Sequence, residues 1–303
     1  MKRYLAIDVG GSAMKYGIVE NGTSIPYKSS HETPKDSMES LLQAYREIWA
    51  DCECFGPFDG VAISFTATMD GRTGYCYGGS LEAYTKGINL LETFQTVFPV
   101  PVAVENDGNC AALAEGRYGA LTDCESAIMI TLGTGLGGGL LKEGKIHHGK
   151  NSCAGEFSYI FTNAASAFEG QPDVWAIHNG NRALTARLSE KKGVPVPDGK
   201  AFFQYADAGD ADALAVLREF TNYLAVWLFN LQCIYAPDKI AIGGGISRQP
   251  LLMQYLQDSL DHFYTRTGVC LPRAEVVSAQ FLSDANLIGA VCWWEDYQNS
   301  KKS

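Results

Sequence analysis

The sequence predicts a mixed α/β chain built from two similar halves, and two observations carry that prediction. β-branched apolar runs alternate with amphipathic segments, and each half opens on a strand, a glycine turn and a second strand before helices and strands alternate. The halves also match in sequence. "IDVGGSAMKYGIVENG" lies on "ITLGTGLGGGLLKEGK", with Ile7 on Ile130, Gly10 on Gly133 and, after a one-residue gap, Gly22 on Gly144. A length of 303 residues accommodates two domains of roughly 150 residues, each with its own core.

In order, the first half reads as strands in "RYLAIDVG", "AMKYGIVENG" and "SIPYKSSH", then a helix in "SMESLLQAYREIW", whose apolar residues recur at helical spacing. A strand "GVAISFT", a glycine-rich turn region "MDGRTGYCYGGS", a helix "NLLETFQTVF", a strand "VPVAVE" and a helix "GNCAALAEGRYG" follow. The second half restarts with strands in "SAIMITLG" and "GGLLKEGK" and a short "IHHG". Helices are expected around "DVWAIHNGNRALTARLSEKK" and "DADALAVLREFTNYLAVWLFNLQCIYA", then the strand "KIAIGGG", a helix "PLLMQYLQDSLDHFYTRTG", the strand "AEVVSAQ" and a final helix "ANLIGAVCWWEDY". The domains are drawn at 1–118, completed by the helix 285–303, and at 119–284.

Composition narrows the function. At 46% hydrophobic and 19% charged residues the chain is that of an ordinary globular protein. With no run of about eighteen apolar residues and no leader-like start, it is expected to be cytoplasmic and away from membranes. A net charge of -10, without a Lys/Arg-rich block, removes the driving force for sequence-independent nucleic-acid binding. Nine scattered cysteines fit reduced thiols, and the close pair Cys52 and Cys54 lacks further ligands for a metal.

"AIMITLGTGLGGGLLKEGKIHHG" contains GxGxxG in Gly133, Gly135 and Gly138. A dinucleotide-binding turn needs these glycines to open a helix, whereas "LLKEGK" reads as a strand and a hairpin turn. The alternative is a β-hairpin whose glycines take positive φ and aim successive amides at an anion. "DVGGS" supplies an equivalent in the first half, and two such hairpins suit a nucleoside triphosphate.

"DVGGS" (Asp8 to Ser12), "VENDGNCAALAEGRYG" (Val104 to Gly119), "TLGTGLGGGLLKEGKIHHG" (Thr131 to Gly149), "AGEFSY" (Ala154 to Tyr159) and "AIGGGIS" (Ala241 to Ser247) together resemble the ROK family of sugar kinases, in the family's order over nearly the whole chain. The resemblance implies two duplicated actin/hexokinase-like (ribonuclease H-like) domains with mixed sheets and an interdomain cleft that closes on the reactants.

It also implies roles. Asp107 is the expected catalytic base, although an Asp at or near a helix N-cap has a structural use as well. Asn106, Glu156 and Gly79 are expected sugar contacts, beside the plain alternatives of a turn-forming Asn, a surface Glu and a loop at Gly79 and Ser80. Asp8, Gly10, Gly11, Ser12, Gly133, Thr134, Gly135, Gly137, Gly138, Gly244 and Gly245 are expected around ATP and its phosphates. The triplet Gly243 to Gly245 reads equally well as a tight strand-to-helix turn. Asp8 would hold magnesium indirectly.

The sequence departs from the family pattern after "GEF". Ser158 and Tyr159 replace a Gly-His pair, and no Cys stands between Cys153 and Cys233, so a structural zinc is not expected. Glu169 or Trp175 falls where a second sugar contact would stand, and neither is assigned. The resemblance is thus to zinc-less members, which include β-glucoside and N-acetylmannosamine kinases. The expected activity is ATP- and magnesium-dependent phosphorylation of a hexose or hexoside, at the 6-hydroxyl, by a homodimer or higher homo-oligomer. The rival reading is a catalytically inactive sugar sensor; regulators of the family carry an N-terminal helix-turn-helix, for which "DVGGS" at Asp8 leaves no room.

Overall fold

A computed structural model describes residues 2–302. The first half contains β1 (Arg3–Val9), β2 (Ala13–Glu20), β3 (Ser24–Glu32), α1 (Met38–Cys52), β4 (Gly60–Phe65), β5 (Ala67–Asp70), β6 (Tyr75–Gly79), α2 (Glu82–Thr85), α3 (Leu90–Gln95), β7 (Val102–Asn106) and α4 (Asp107–Tyr118). It is followed by β8 (Ser126–Leu132), β9 (Leu136–Lys142), β10 (Lys145–Ile146), α5 (Ala164–Phe168), α6 (Trp175–Asn179), α7 (Asn181–Lys192), α8 (Gly199–Asp207), α9 (Ala211–Tyr235), β11 (Lys239–Gly243), α10 (Pro250–Thr267), β12 (Glu275–Ser278) and α11 (Ala285–Ser300).

Two five-stranded sheets share one strand order, β3-β2-β1-β4-β7 and β10-β9-β8-β11-β12. In the first, β1 and β2, and β2 and β3, run antiparallel, whereas β1, β4 and β7 are parallel. In the second, β9 and β10 are antiparallel and β8, β11 and β12 parallel. The hairpin turns correspond as well: Asn21 and Gly22 between β2 and β3, and Glu143 and Gly144 between β9 and β10, all have positive φ. Paired positive φ values match the right-handed twist of adjoining strands. The sequence match of Gly22 with Gly144 is therefore a match of turn geometry.

Parallel strands covered on both faces become continuous apolar runs, and all six residues of β4 are buried. Alternation along β1 sends Leu5, Ile7 and Val9 into a core with Leu41, Tyr45 and Ile48 of α1. Tyr4 and Ala6 face the other way, onto Cys110 of α4 and Leu287 and Val291 of α11. α4 and α11 cross so closely that a Cβ on Gly289 would lie 1.7 Å from the Cys110 carbonyl oxygen; only glycine permits that crossing.

The turn region expected over "MDGRTGYCYGGS" is instead a β-hairpin, β5 with β6. Its four glycines masked the alternation of Cys76 with Tyr75 and Tyr77. α5 and α8 were also not legible as separate helices, although Asp198 caps α8 by accepting from the Ala201 amide at 2.8 Å.

Among the described residues the chain divides into two compact units, one of residues 2–122, 139–155 and 284–302 and the other of residues 123–138 and 156–283. Residues 139–155, counted with the second domain in the sequence reading, pack in the first unit: Gly139 abuts Asn109 and Ala112 of α4, and His148 bonds Glu105. No described helix is long and apolar enough to cross a membrane.

Candidate active site

In the first unit, the carboxyl ends of parallel β1, β4 and β7 place Asp8, Ser64 and Glu105 side by side. Such strand ends are where open α/β sheets present functional groups. Asp8 is buried, and its Oδ1 accepts from Ser64 Oγ at 2.8 Å and Asn286 Nδ2 at 2.9 Å. Burial pushes its carboxyl above the usual range, against the opposing pull of Asn286, Ser64 and Lys15. Lys15 is its cross-strand neighbour. The following turn is tied down from outside: Thr33 Oγ1 donates to the Gly10 carbonyl at 2.7 Å and the Thr33 amide to the Ser12 carbonyl at 3.3 Å. Gly11 and Ser12 remain exposed.

β7 runs straight into α4. Asn106 is the N-cap, accepting the Asn109 amide at 3.1 Å, so Asp107 is the first helical residue, one position past the cap. Its Oδ1 accepts the Gly108 amide at 2.8 Å, at the end of the helix where the backbone N–H groups point outward. Asn106 Nδ2 spends one hydrogen on the Ala67 carbonyl at 2.9 Å, which leaves the second amide hydrogen outside these bonds. Glu105 is fully buried and held by the Asn106 amide at 2.8 Å, Asn109 Nδ2 at 3.1 Å and His148 Nε2 at 2.7 Å. A carboxylate only accepts, so Nε2 of His148 donates. Cys110 lies among these acids, and burial, reinforced by Glu105, Asp8 and Asp107, raises its thiol pKa well above the ordinary range.

Sequence reasoning missed Ser64, Asn286 and His148. The first two sit in an apolar strand and a distant helix and become site residues only through the fold. His148 was visible in "HHG" but had no partner until Glu105 proved buried. Gly79 has φ +149, and a Cβ there would meet the Ala67 Cα at 2.6 Å. It ends a strand, and the hairpin itself demands glycine.

In the second unit, the turn between β8 and β9 docks on the start of α7, with the Asn181 amide donating to the Gly133 carbonyl at 2.9 Å and the Arg182 amide to Thr134 at 3.4 Å. The expectation of positive φ in the phosphate hairpins is corrected: Gly10, Gly11, Gly133, Gly135, Gly137 and Gly138 all lack it. Their glycines serve space. A Cβ on Gly138 would lie 2.2 Å from the Met129 carbonyl oxygen and 2.7 Å from the Phe157 ring, and one on Gly137 would lie 2.8 Å from Thr131 Oγ1. Those two are packing glycines. A Cβ on Gly135 or Gly245 would meet nothing within 4 Å, and one on Gly11 or Gly133 nothing nearer than 3.9 Å. At these four positions neither packing nor backbone requires glycine. Gly244, at φ +91 and pressed on the Leu132 backbone, makes the tight turn after β11.

Glu156 is half-buried at the head of a short turn, beside Phe157, which packs over Gly138 and Trp175. The segment beyond it is held without metal ligands by Asp173, His178 and Arg187. His178 Nε2 donates to Asp173 at 2.5 Å, its Nδ1 accepts from Arg187 at 3.2 Å, and its ring stacks on Tyr223 at 4.3 Å. No described cluster of three His, Cys, Asp or Glu could hold a metal ion. Trp175 is fully buried, donates to Asn179 at 2.7 Å and stacks on Trp227, which gives it a packing role. Glu169 follows the short α5.

The model of the ROK family matches residues 4–297. The chain belongs to the ROK family. Among curated relatives, a beta-glucoside kinase of Listeria monocytogenes is 30% identical over 292 residues, spanning 94% of this chain and 95% of that protein. Among solved structures, a ROK family protein from Streptococcus pneumoniae in complex with sucrose has a TM-score of 0.84 at 27% identity, covering 98% of this chain and 99% of that one. A ROK family glucokinase from Streptomyces griseus in complex with glucose and AMPPNP has a TM-score of 0.82 at 25% identity, covering 95% and 97%. These matches place the two similar sheets in the actin/hexokinase-like fold.

Proposed function

We propose that this chain is an ATP-dependent carbohydrate kinase that phosphorylates a hexose or hexoside at its 6-hydroxyl. The observation that carries this reading is Asp107, half-buried on the first turn of α4, flanked by Glu105 and Asn106, whose hydrogen bonds hold them in place. A rigid, partly accessible carboxylate at a helix start suits a base that orients and deprotonates a hydroxyl. The beta-glucoside kinase and glucokinase relatives support the acceptor class.

In this mechanism the sugar oxygen attacks the γ-phosphorus, its bond to the β-phosphate oxygen breaks, ADP leaves, and the hydroxyl proton passes to Asp107. Asn106 has an amide hydrogen to give a sugar oxygen, and Glu156 supplies a carboxylate for vicinal hydroxyls. Gly79 shapes the hairpin beside Asn106. In the first unit the turn at Gly10, Gly11 and Ser12, and in the second the turn at Gly133, Thr134 and Gly135, are each suited to phosphate oxygens, and the turn at Gly244 and Gly245 to the nucleoside. Empty Cβ positions at Gly11, Gly133, Gly135 and Gly245 support this, since a phosphate can approach the backbone there.

Asp8 fits magnesium. Its carboxylate is a hard oxygen donor with Oδ2 outside the bonds from Ser64 and Asn286, and burial leaves its charge poorly compensated. Magnesium is commonly held by one or two carboxylates together with phosphates and waters. When bound it would offset phosphate charge.

The test is ADP release with ATP and magnesium across glucose, N-acetylmannosamine, cellobiose and other β-glucosides. Asp107→Asn is expected to bind sugar normally and lose about 10²- to 10⁴-fold in turnover. Near-normal turnover in the variant would overturn the role of Asp107, and silence of the wild type on every sugar would overturn the kinase reading in favour of a sensor.

A further inference from the structure

The β5–β6 hairpin carries a feature that the proposed reaction leaves unused. Its inner face, Ala67, Met69 and Cys76, belongs to the core. Its outer face carries Tyr75 and Tyr77, 44% and 38% exposed, with ring centroids 5.0 Å apart and planes at 72°. Cys76 pairs with Met69 and Gly78 with Thr68, so Tyr77 is the extra residue of a β-bulge. Bulges re-aim a side chain, and they are common next to active sites. An outward tyrosine pair contributes little to folding.

The hairpin is continuous with the sugar end of the site. Asn106 Nδ2 bonds Ala67, and Ala67 pairs with Gly79, which stands two residues, roughly 7 Å of strand, from Tyr77. Arg72 lies in the turn between β5 and β6. It grips Asp70 through two bonds of 3.0 Å and lies within electrostatic reach of both Glu105 and Tyr77. Two exposed rings, one within electrostatic reach of a guanidinium, suit a ligand with an apolar face and a hydroxyl rim, and a pyranose ring has both.

We propose that Tyr77 and Tyr75 form a stacking platform for the second ring of a hexoside, so that the site prefers disaccharide glucosides over simple ones. This rests on the reading of Asn106 and Asp107 as the sugar end of the site.

The experiment is calorimetric titration of the full chain with cellobiose and with methyl β-glucoside. Cellobiose is expected to bind about fivefold more tightly, a plausible return for one aromatic contact. Tyr77→Ala should bring the ratio of the two affinities toward one, and Tyr77→Phe, which keeps the ring, should preserve it. A ratio near one in the wild type, or one that Tyr77→Ala leaves intact, overturns the platform. If light scattering then shows that Tyr77→Ala changes the oligomeric state, the pair belongs to a contact between copies. Turnover with ATP is measured on the same samples. A preserved binding preference without turnover overturns the kinase reading and leaves the platform standing, and no binding of either sugar overturns both.

Discussion

Replacing Gly135 by Ala separates a glycine kept for a ligand from one kept for the fold. The new Cβ would meet nothing within 4 Å, and the residue lacks positive φ, so the folded state accommodates it. The unfolded chain loses freedom, worth about 0.4 to 1 kcal/mol in favour of folding, or roughly 1–3 °C in Tm for a chain of this size. If Gly135 receives a phosphate as proposed, the same methyl would obstruct its approach to the backbone, and KM for ATP should rise about tenfold, equivalent to about 1.4 kcal/mol. Gly138→Ala is the contrast. Its Cβ would lie 2.2 Å from the Met129 carbonyl oxygen, an overpacking that costs about 2 kcal/mol and lowers Tm by roughly 5 °C. Thermal melts and ATP titrations on both variants decide the matter. An unchanged KM for ATP in Gly135→Ala, or a Tm loss matching that of Gly138→Ala, would refute the reasoning.

Three further outcomes are expected. Burial raises the Asp8 pKa, so the folded state binds its proton more tightly than the unfolded state, and ionisation costs stability at neutral pH. That cost disappears as pH falls through the raised pKa. Asp8→Asn should therefore melt higher than wild type at pH 7 and lose turnover, with the gap in Tm closing in acid; equal melting at pH 7 would contradict this. His148→Leu leaves the buried Glu105 carboxyl without its Nε2–H donor and should cost about 1 to 3 kcal/mol in chemical denaturation, and a loss below about 0.5 kcal/mol would show that the bond is unimportant. Trp175→Ala empties a fully buried site and should cost about 3 to 5 kcal/mol; full stability with an altered KM for sugar would instead give Trp175 a role in binding sugar.

The repeat and its strand order were legible because paired hairpins and parallel strands write themselves as apolar runs punctuated by glycine, as at Gly22 and Gly144. The β5–β6 hairpin was not, since Gly71, Gly74, Gly78 and Gly79 resemble loop residues until the strands are seen to pair. At the site, Asp8, Asn106 and Asp107 stood out because polar residues terminate apolar strands there. Ser64, His148 and Asn286 stayed hidden because their meaning is a contact across 56, 43 and 278 residues. The glycines of the two turns proposed for phosphate were expected at positive φ, which the backbone does not use at Gly10, Gly11, Gly133, Gly135, Gly137 or Gly138; empty space around Gly11, Gly133 and Gly135 is invisible in a sequence.

The bond from Asn286 to Asp8 also orders events in time. A ribosome delivers Asp8 long before α11, so the first unit has all its strands well ahead of the helix that covers β1 and β4 and grips that carboxylate. Until then Tyr4, Ala6 and Ala62 have no Leu287 or Val291 against them. The nascent first unit must wait, partly uncovered, while the whole second unit is made, and any truncation that removes α11 should leave a chain that folds its second unit yet depends on chaperones to keep its first from aggregating.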